Sequence, residues 1–399
     1  MASEGRLPPV WLLGAGFLPL GAYGAIMLIT MPQLLAASHV PEAEIASITA
    51  IGISPLFLSF IFAPLLDWRL ARRTYAIGFA IIGAACAFGA LRSVDHHAAL
   101  TIFLFAGNMA IALCSAAVGG WFGNILPSDK KAALSAWLNV YNIAGGGVTA
   151  ALAIFLLRHL PSLLGAASVA LPVAAALPVL LATPCPPADR RLARESFRDF
   201  ARDVLNLLRR PTILWILAVF LAPCSSFALT NTLSGFGGDF HISDEMIGLI
   251  GGAGVVSAGV AGSFLVPPLT RFAPPIWLYL LVGGVGAVFT IGLTLIPHSP
   301  ASFGVAMLGE NIFQSAAFVV SNIIMLRTIG HENPLAATQF GLLNGVQMIP
   351  LTYMQMIDGH AYGLGGVNAS LLADALVSGA ACILLGGMLS GFRRRVPVI

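Results

Sequence analysis

The sequence predicts an all-α membrane protein of about twelve transmembrane helices arranged as two six-helix repeats. Three observations carry that prediction. Of the 399 residues, 58% are hydrophobic and only 9% are charged. Long apolar runs recur along the whole chain, and the basic residues between them fall on one side of the alternation. A water-soluble domain carries roughly 25% charged residues, so most of this surface must face lipid, in keeping with a mean hydropathy of +0.89. The net charge of +3 says little about partners, because in a membrane protein the position of each charge matters more than the sum.

A hydrocarbon core takes about 20 apolar residues per helix, and irregular backbone cannot face lipid. Twelve runs qualify, at about 11–37, 44–66, 75–91, 98–125, 132–157, 163–182, 212–236, 245–269, 275–296, 301–327, 335–357 and 370–391. The first is longer than the roughly 7–15 residue apolar core of a signal peptide and is read as an uncleaved span. Connections are short except 183–211. That segment divides the chain into an N-terminal bundle (1–182), a linker (183–211) and a C-terminal bundle (212–399).

With both termini placed in the cytoplasm, eighteen of the twenty Lys and Arg residues fall inside, and only Arg92 and Arg158 fall outside. This is the bias that the positive-inside rule demands of short loops, and the inverted topology would break it throughout. The histidines run the other way, with all but His331 in outer loops. A mostly neutral polar residue suits an interface from which Arg and Lys are excluded. The linker opens with prolines and continues into Phe197, Phe200, Val204 and Leu208, on one helical face, with Arg190, Arg191, Arg194, Arg198 and Arg202 around them. It reads as a basic amphipathic helix lying along the inner membrane face.

Duplication shows in sequence as well as in count. Ser59-Phe60-Ile61-Phe62-Ala63-Pro64-Leu65 closes the second run, and Ser263-Phe264-Leu265-Val266-Pro267-Pro268-Leu269 closes the eighth. Six-helix parallel repeats of this kind resemble the architecture of the major facilitator superfamily. Asp67, followed by Arg69, Arg72 and Arg73, resembles that superfamily's acidic-basic motif between helices two and three. The resemblance implies a gating role in which Asp67, paired with Arg72 or Arg73, holds the two halves in one state. The second-half copy lacks the acid, having Thr270-Arg271 there.

Phe60 to Asp67, Ala316-Ala317-Phe318-Val319, and Ala337-Thr338-Gln339-Phe340-Gly341-Leu342-Leu343 resemble the AmpG-type muropeptide permeases and the acetyl-coenzyme A transporter group; Tyr141-Asn142 with Gly145-Gly146-Gly147 resembles them more weakly. Siderophore-uptake permeases share much of this pattern. Two departures stand out: Gly119 or a neighbour replaces an acid of the fourth helix, and Asn142 replaces a basic residue of the fifth. Both cavity charges are thus lost, which weakens the inference to an anionic muropeptide, since such a cargo should want a cation in the pocket.

An ionisable side chain in mid-bilayer costs about 2.5–3.5 kcal/mol or more, so it marks a functional site by default. Glu310 lies about ten residues into the tenth run and heads a stripe with Gln314, Ala317 and Ser321. Desolvation there favours a protonated form able to load and release a proton. The resemblance places helices one, four, seven and ten around a central cavity. That implies a cargo site from Tyr23, Asn108, Asn231, Asn311 and Gln314, with Asn142, Asn344 and Gln347 from helices five and eleven. Each of these amides could equally be interhelical glue. Asp358 and Asp374, near outer helix ends, are expected to be solvated.

The five cysteines lack metal-ligand spacing, and four lie in apolar runs as small hydrophobes. No triad, HExxH or GK[ST] is present, so no cofactor, metal or nucleic-acid partner is expected. Glycines such as Gly21 and the run Gly145-Gly146-Gly147 instead suit close helix approach. The expectation is a monomeric, multi-pass inner-membrane transporter, in contact with the lipid bilayer, a small-molecule substrate and protons, working by alternating access. A membrane-embedded enzyme would need clustered acids or histidines at one interface; a transport-inactive scaffold or sensor is the third class.

Overall fold

A computed structural model describes residues 7–185, 197–330 and 333–391. Among these, ten helices are long and apolar enough to cross a membrane. Their outward faces carry large apolar side chains such as Ile102, Leu171, Val288 and Ile383, each mostly exposed, because lipid takes the place of a partner surface. By packing, the chain divides into two units, Met1–Val204 with Ile329–Gly345, and Leu205–Thr328 with Val346–Ile399.

The first unit holds α1 (Val10–Ala37), α2 (Ala43–Asp67), α3 (Arg72–Arg92), α4 (His97–Ile125), α5 (Ser128–His159) and α6 (Ser162–Ala182). Pro19 and Pro32 each lack an N–H, and α1 departs from α-geometry near them, with a 3-10 turn at Gly14–Phe17 and a π turn at Ile26–Thr30. Its core gathers Tyr23, Ile26, Met27, Leu104, Ile111 and Val173. The small residues of α1 and α5 do what their size allows. A Cβ on Gly21 would stand 1.7 Å from Asn142 O and 2.9 Å from Gly146 N, so only hydrogen fits there.

The second unit begins within α7 (Phe197–Leu208), which meets α8 (Pro211–Leu221) at a 66° bend. Leu207 on α7 is buried, in keeping with the amphipathic pattern, whereas Arg190, Arg191 and Arg194 lie outside the described residues. The seventh apolar run is not one helix. Pro223 forces Ala222 into extended backbone (φ −76°, ψ 149°) and ends α8. Helix resumes as α9 (Leu229–Thr232) and tightens into a 3-10 turn at Leu233–Phe236.

There follow α10 (Glu245–Leu269), α11 (Pro275–Leu293), α12 (Pro300–Ile329) and α13 (Ala336–Gly391). α13 is broken at Gly365 and Gly366, the latter at φ 68°, ψ −159°, a conformation essentially reserved for glycine. The expected loop between 357 and 370 is therefore absent. Helix continues through Asp358 to the glycine pair and restarts at once, carrying Asp358 and Asp374 within helix instead of at its ends.

Candidate functional site

Two constellations of buried polar groups stand out, one in each unit. In the first, Pro64 starts a 3-10 turn, Ala63–Asp67, that closes α2 and directs Asp67 inward. Asp67 and Arg72 are 2% and 1% exposed, and Arg72 Nε lies 2.6 Å from Asp67 Oδ1. The same carboxylate receives the Ala337 N–H on Oδ1 (3.2 Å), and the Thr338 N–H and hydroxyl on Oδ2 (both 2.7 Å). It thus caps the first turn of α13, where orphan donors and the helix dipole favour an anion.

Arg72 Nη2 donates to Asn333 O at 2.9 Å. Asn124 of α4 closes the cluster, with Asn333 N donating to its Oδ1 (3.0 Å) and its Nδ2 donating to Asn333 O (3.2 Å). Of the two arginines considered as partners, Arg72 pairs with Asp67. Arg73 instead donates to Leu181 O at 2.6 Å, near the end of α6. Gly119 and Gly120 take their meaning from the same contact: a Cβ on Gly119 would meet the Phe340 ring at 2.6 Å, and one on Gly120 would meet Ala337 N at 2.4 Å.

Two residues expected to line a cavity are placed differently in this unit. Tyr23 is fully buried and its hydroxyl lies within hydrogen-bond reach of two carbonyls, Phe103 O (2.9 Å) and Leu104 O (3.1 Å). Asn108 is buried and its Nδ2 donates to Gly52 O at 2.8 Å. Both tie helices together, since a buried polar group must find a partner and backbone carbonyls of neighbouring helices were in reach. Asn142 and Asn344 are half-buried.

In the second unit Glu310 of α12 is wholly buried. Its Oε1 lies 2.6 Å from Thr290 Oγ1 of α11, which also lies 3.0 Å from Gly286 O; Oε2 has no partner. One hydroxyl hydrogen cannot serve both acceptors. With a proton on the carboxyl, Glu310 donates to Thr290 and Thr290 donates to Gly286. Without it, Thr290 turns to the carboxylate. The pair can therefore hold or release a proton by rotating one hydroxyl.

Asp358 and Asp374 correct the expectation of solvated helix ends: both are buried on α13. For Asp358 the cause is that helix continues through it to the glycine pair. No Lys, Arg or His forms an ion pair with any of the three among the described residues.

The amides divide. Gln314 Nε2 donates to Thr230 Oγ1 at 2.6 Å, and Gln347 Nε2 to Ser321 Oγ at 2.7 Å, leaving Gln347 Oε1 unpartnered. Asn311 Nδ2 bonds back to Met307 O of its own helix, and Asn231 is exposed. Sequence reasoning missed Thr290, Asn124 and Asn333, which look like ordinary polar residues at helix ends or in helices. It also missed the break at Pro223, for which a proline followed by Ser225-Ser226 inside an apolar run was the available signal.

Residues 11–350 match the family profile described as Major Facilitator Superfamily. The chain belongs to that superfamily. No curated protein sequence matches it. Among solved structures it is similar to a Major Facilitator Superfamily transporter, FucP, in the outward conformation, with TM-score 0.71 at 16% identity over 94% of this chain and 97% of that one. The human organic anion transporter MFSD10 (TETRAN) gives TM-score 0.70 at 18% identity, covering 95% and 100%. The proton:xylose symporter XylE bound to 6-bromo-6-deoxy-D-glucose gives 0.65 at 14%, covering 97% and 94%. At such identities these likenesses establish the fold alone. The superfamily member described here is accordingly a multi-pass membrane transporter.

Proposed function

We propose that this transporter couples the inward movement of protons to uptake of a medium-sized amphiphilic metabolite, a muropeptide-like or siderophore-like molecule, across the inner membrane by alternating access. The observation that carries the reading is the Glu310–Thr290 pair: a wholly buried carboxyl without a basic partner among the described residues, bonded so that one hydroxyl rotation accommodates gain or loss of its proton. The proton:xylose symporter among the similar structures supports proton coupling as a use of this fold. Twelve crossings complete the reading, with α8 and α9 as two parts of one span and α13 as two spans divided at Gly365 and Gly366.

The cargo class rests on the AmpG-like motifs and on uncharged amide side chains. In the second unit Gln314, Asn231 and Gln347 offer hydrogen bonds, which suits a neutral or weakly charged molecule. The Asp67–Arg72 cluster serves as the gate. Uptake of a panel of labelled muropeptides and siderophores into vesicles with an imposed inward proton gradient tests the proposal. Accumulation of one class that collapses with the gradient supports it; accumulation indifferent to the gradient refutes coupling.

A further inference from the structure

Non-helical backbone at membrane depth needs a reason, since lipid cannot satisfy its polar groups. The segment 222–228, between α8 and α9, is of this kind, with Ala222 extended and Phe227 left-handed at φ 45°. It is seated tightly on α11: a Cβ on Gly283 would stand 1.6 Å from Cys224 O, and one on Gly286 would meet the Phe227 ring at 2.6 Å. Against this break lies a cavity of about 10 Å³, room for one occupant of water size. Ser225, Ser226, Thr290, Asp374 and Ser378 contribute to its wall. Ser226 is 8% exposed and Asp374 4%, yet Ser226 Oγ and Asp374 Oδ1 have no hydrogen-bond partner.

The geometry points to a binding site for one small monovalent metal cation, of sodium size, between the α8–α9 break, α11 and the C-terminal part of α13. Hydroxyls, a carboxylate and unwound backbone carbonyls are the hard oxygen ligands such an ion takes, and helix breaks of this kind supply them in other transporter folds. The negative end of the α8 dipole adds to the attraction. A water molecule could fill the volume but would leave an ionised Asp374 uncompensated, with Glu310 on α12 and Asp358 on α13 as further acids and no basic partner among the described residues. A single carboxylate on the cavity wall, in so small a space, suits one positive charge better than two.

Thr290 borders both this cavity and Glu310, but ion binding can be measured with neither cargo nor a proton gradient present. The purified full chain in detergent micelles is titrated with radiolabelled sodium, choline holding the ionic strength constant. Saturable binding of one ion per chain is expected in the parent and in Ser257→Ala, an exposed hydroxyl on α10. Asp374→Asn and Ser226→Ala should each weaken it about tenfold or more, as expected for loss of a ligand to a charged group. Ser226→Ala keeps every charge in place and decides the matter if Asp374→Asn fails to fold. Absence of saturable sodium binding in the parent overturns the inference, as does binding that a folded variant leaves unchanged.

Discussion

Asp67 and Arg72 meet at 2.6 Å in a site that excludes solvent from both, and the acid simultaneously caps α13 through Thr338. A surface ion pair would be worth little. This one is buried, so removing either charge strands the other, at a cost of about 3–5 kcal/mol. Asp67→Ala should therefore lower the unfolding midpoint of the purified protein well beyond any surface substitution. An unchanged midpoint would mean that solvent reaches the pair.

Asp67→Asn keeps the shape but removes the charge from the α13 cap. Uptake should slow, or the balance of transport states should shift, while the protein remains inserted. Transport kinetics and cysteine accessibility indistinguishable from the parent would remove Asp67 from the gate.

Gly120 offers a separate route to the same contact. A methyl there would press within 2.4 Å of the Ala337 nitrogen, so Gly120→Ala should cost about 1–3 kcal/mol through overpacking and reproduce the transport defect of Asp67→Asn. Gly24→Ala, with open space around the new methyl, is the control and should be near neutral. Equal effects at the two positions would show that helix propensity, not the approach of α13, was being measured.

Glu310→Gln mimics a permanently protonated carboxyl. Exchange of cargo across a vesicle membrane should survive, since the loaded carrier can still reorient, whereas accumulation driven by an inward proton gradient should collapse. A structural role predicts poor folding or equal loss of both activities. Full gradient-driven accumulation in a well-expressed Glu310→Gln protein would show that another group carries coupling.

Topology is testable on its own. With both termini and the 183–211 linker cytoplasmic, cysteines introduced at His39, His97 and His360 should react with an impermeant reagent applied from outside. An externally labelled linker would invert the whole assignment.

Much of the fold is legible in the amino-acid sequence, because lipid imposes its demand locally. Apolar runs of sufficient length, such as those forming α3, α4 and α11, must be helices wherever they occur. Asp67 is legible too, since its chemistry lies within a short motif that also contains Arg72. The choice of Arg72 over Arg73 is not, because it depends on α6: the Leu181 carbonyl takes Arg73, and only a packed helix brings it there.

The sequence by itself determined that the chain crosses a membrane many times, where most of its helices run, and that an acid such as Glu310 is costly to bury. Only tertiary structure decided what became of those acids and amides. Tyr23 and Asn108 found backbone carbonyls and became struts, while Glu310 found the Thr290 hydroxyl of α11 and Asp374 came to line the cavity beside the α8–α9 break. The reason is physical: a helix requires only local hydrogen bonds and an apolar surface, whereas the partner of a buried polar group is set by whichever neighbouring helix packs against it.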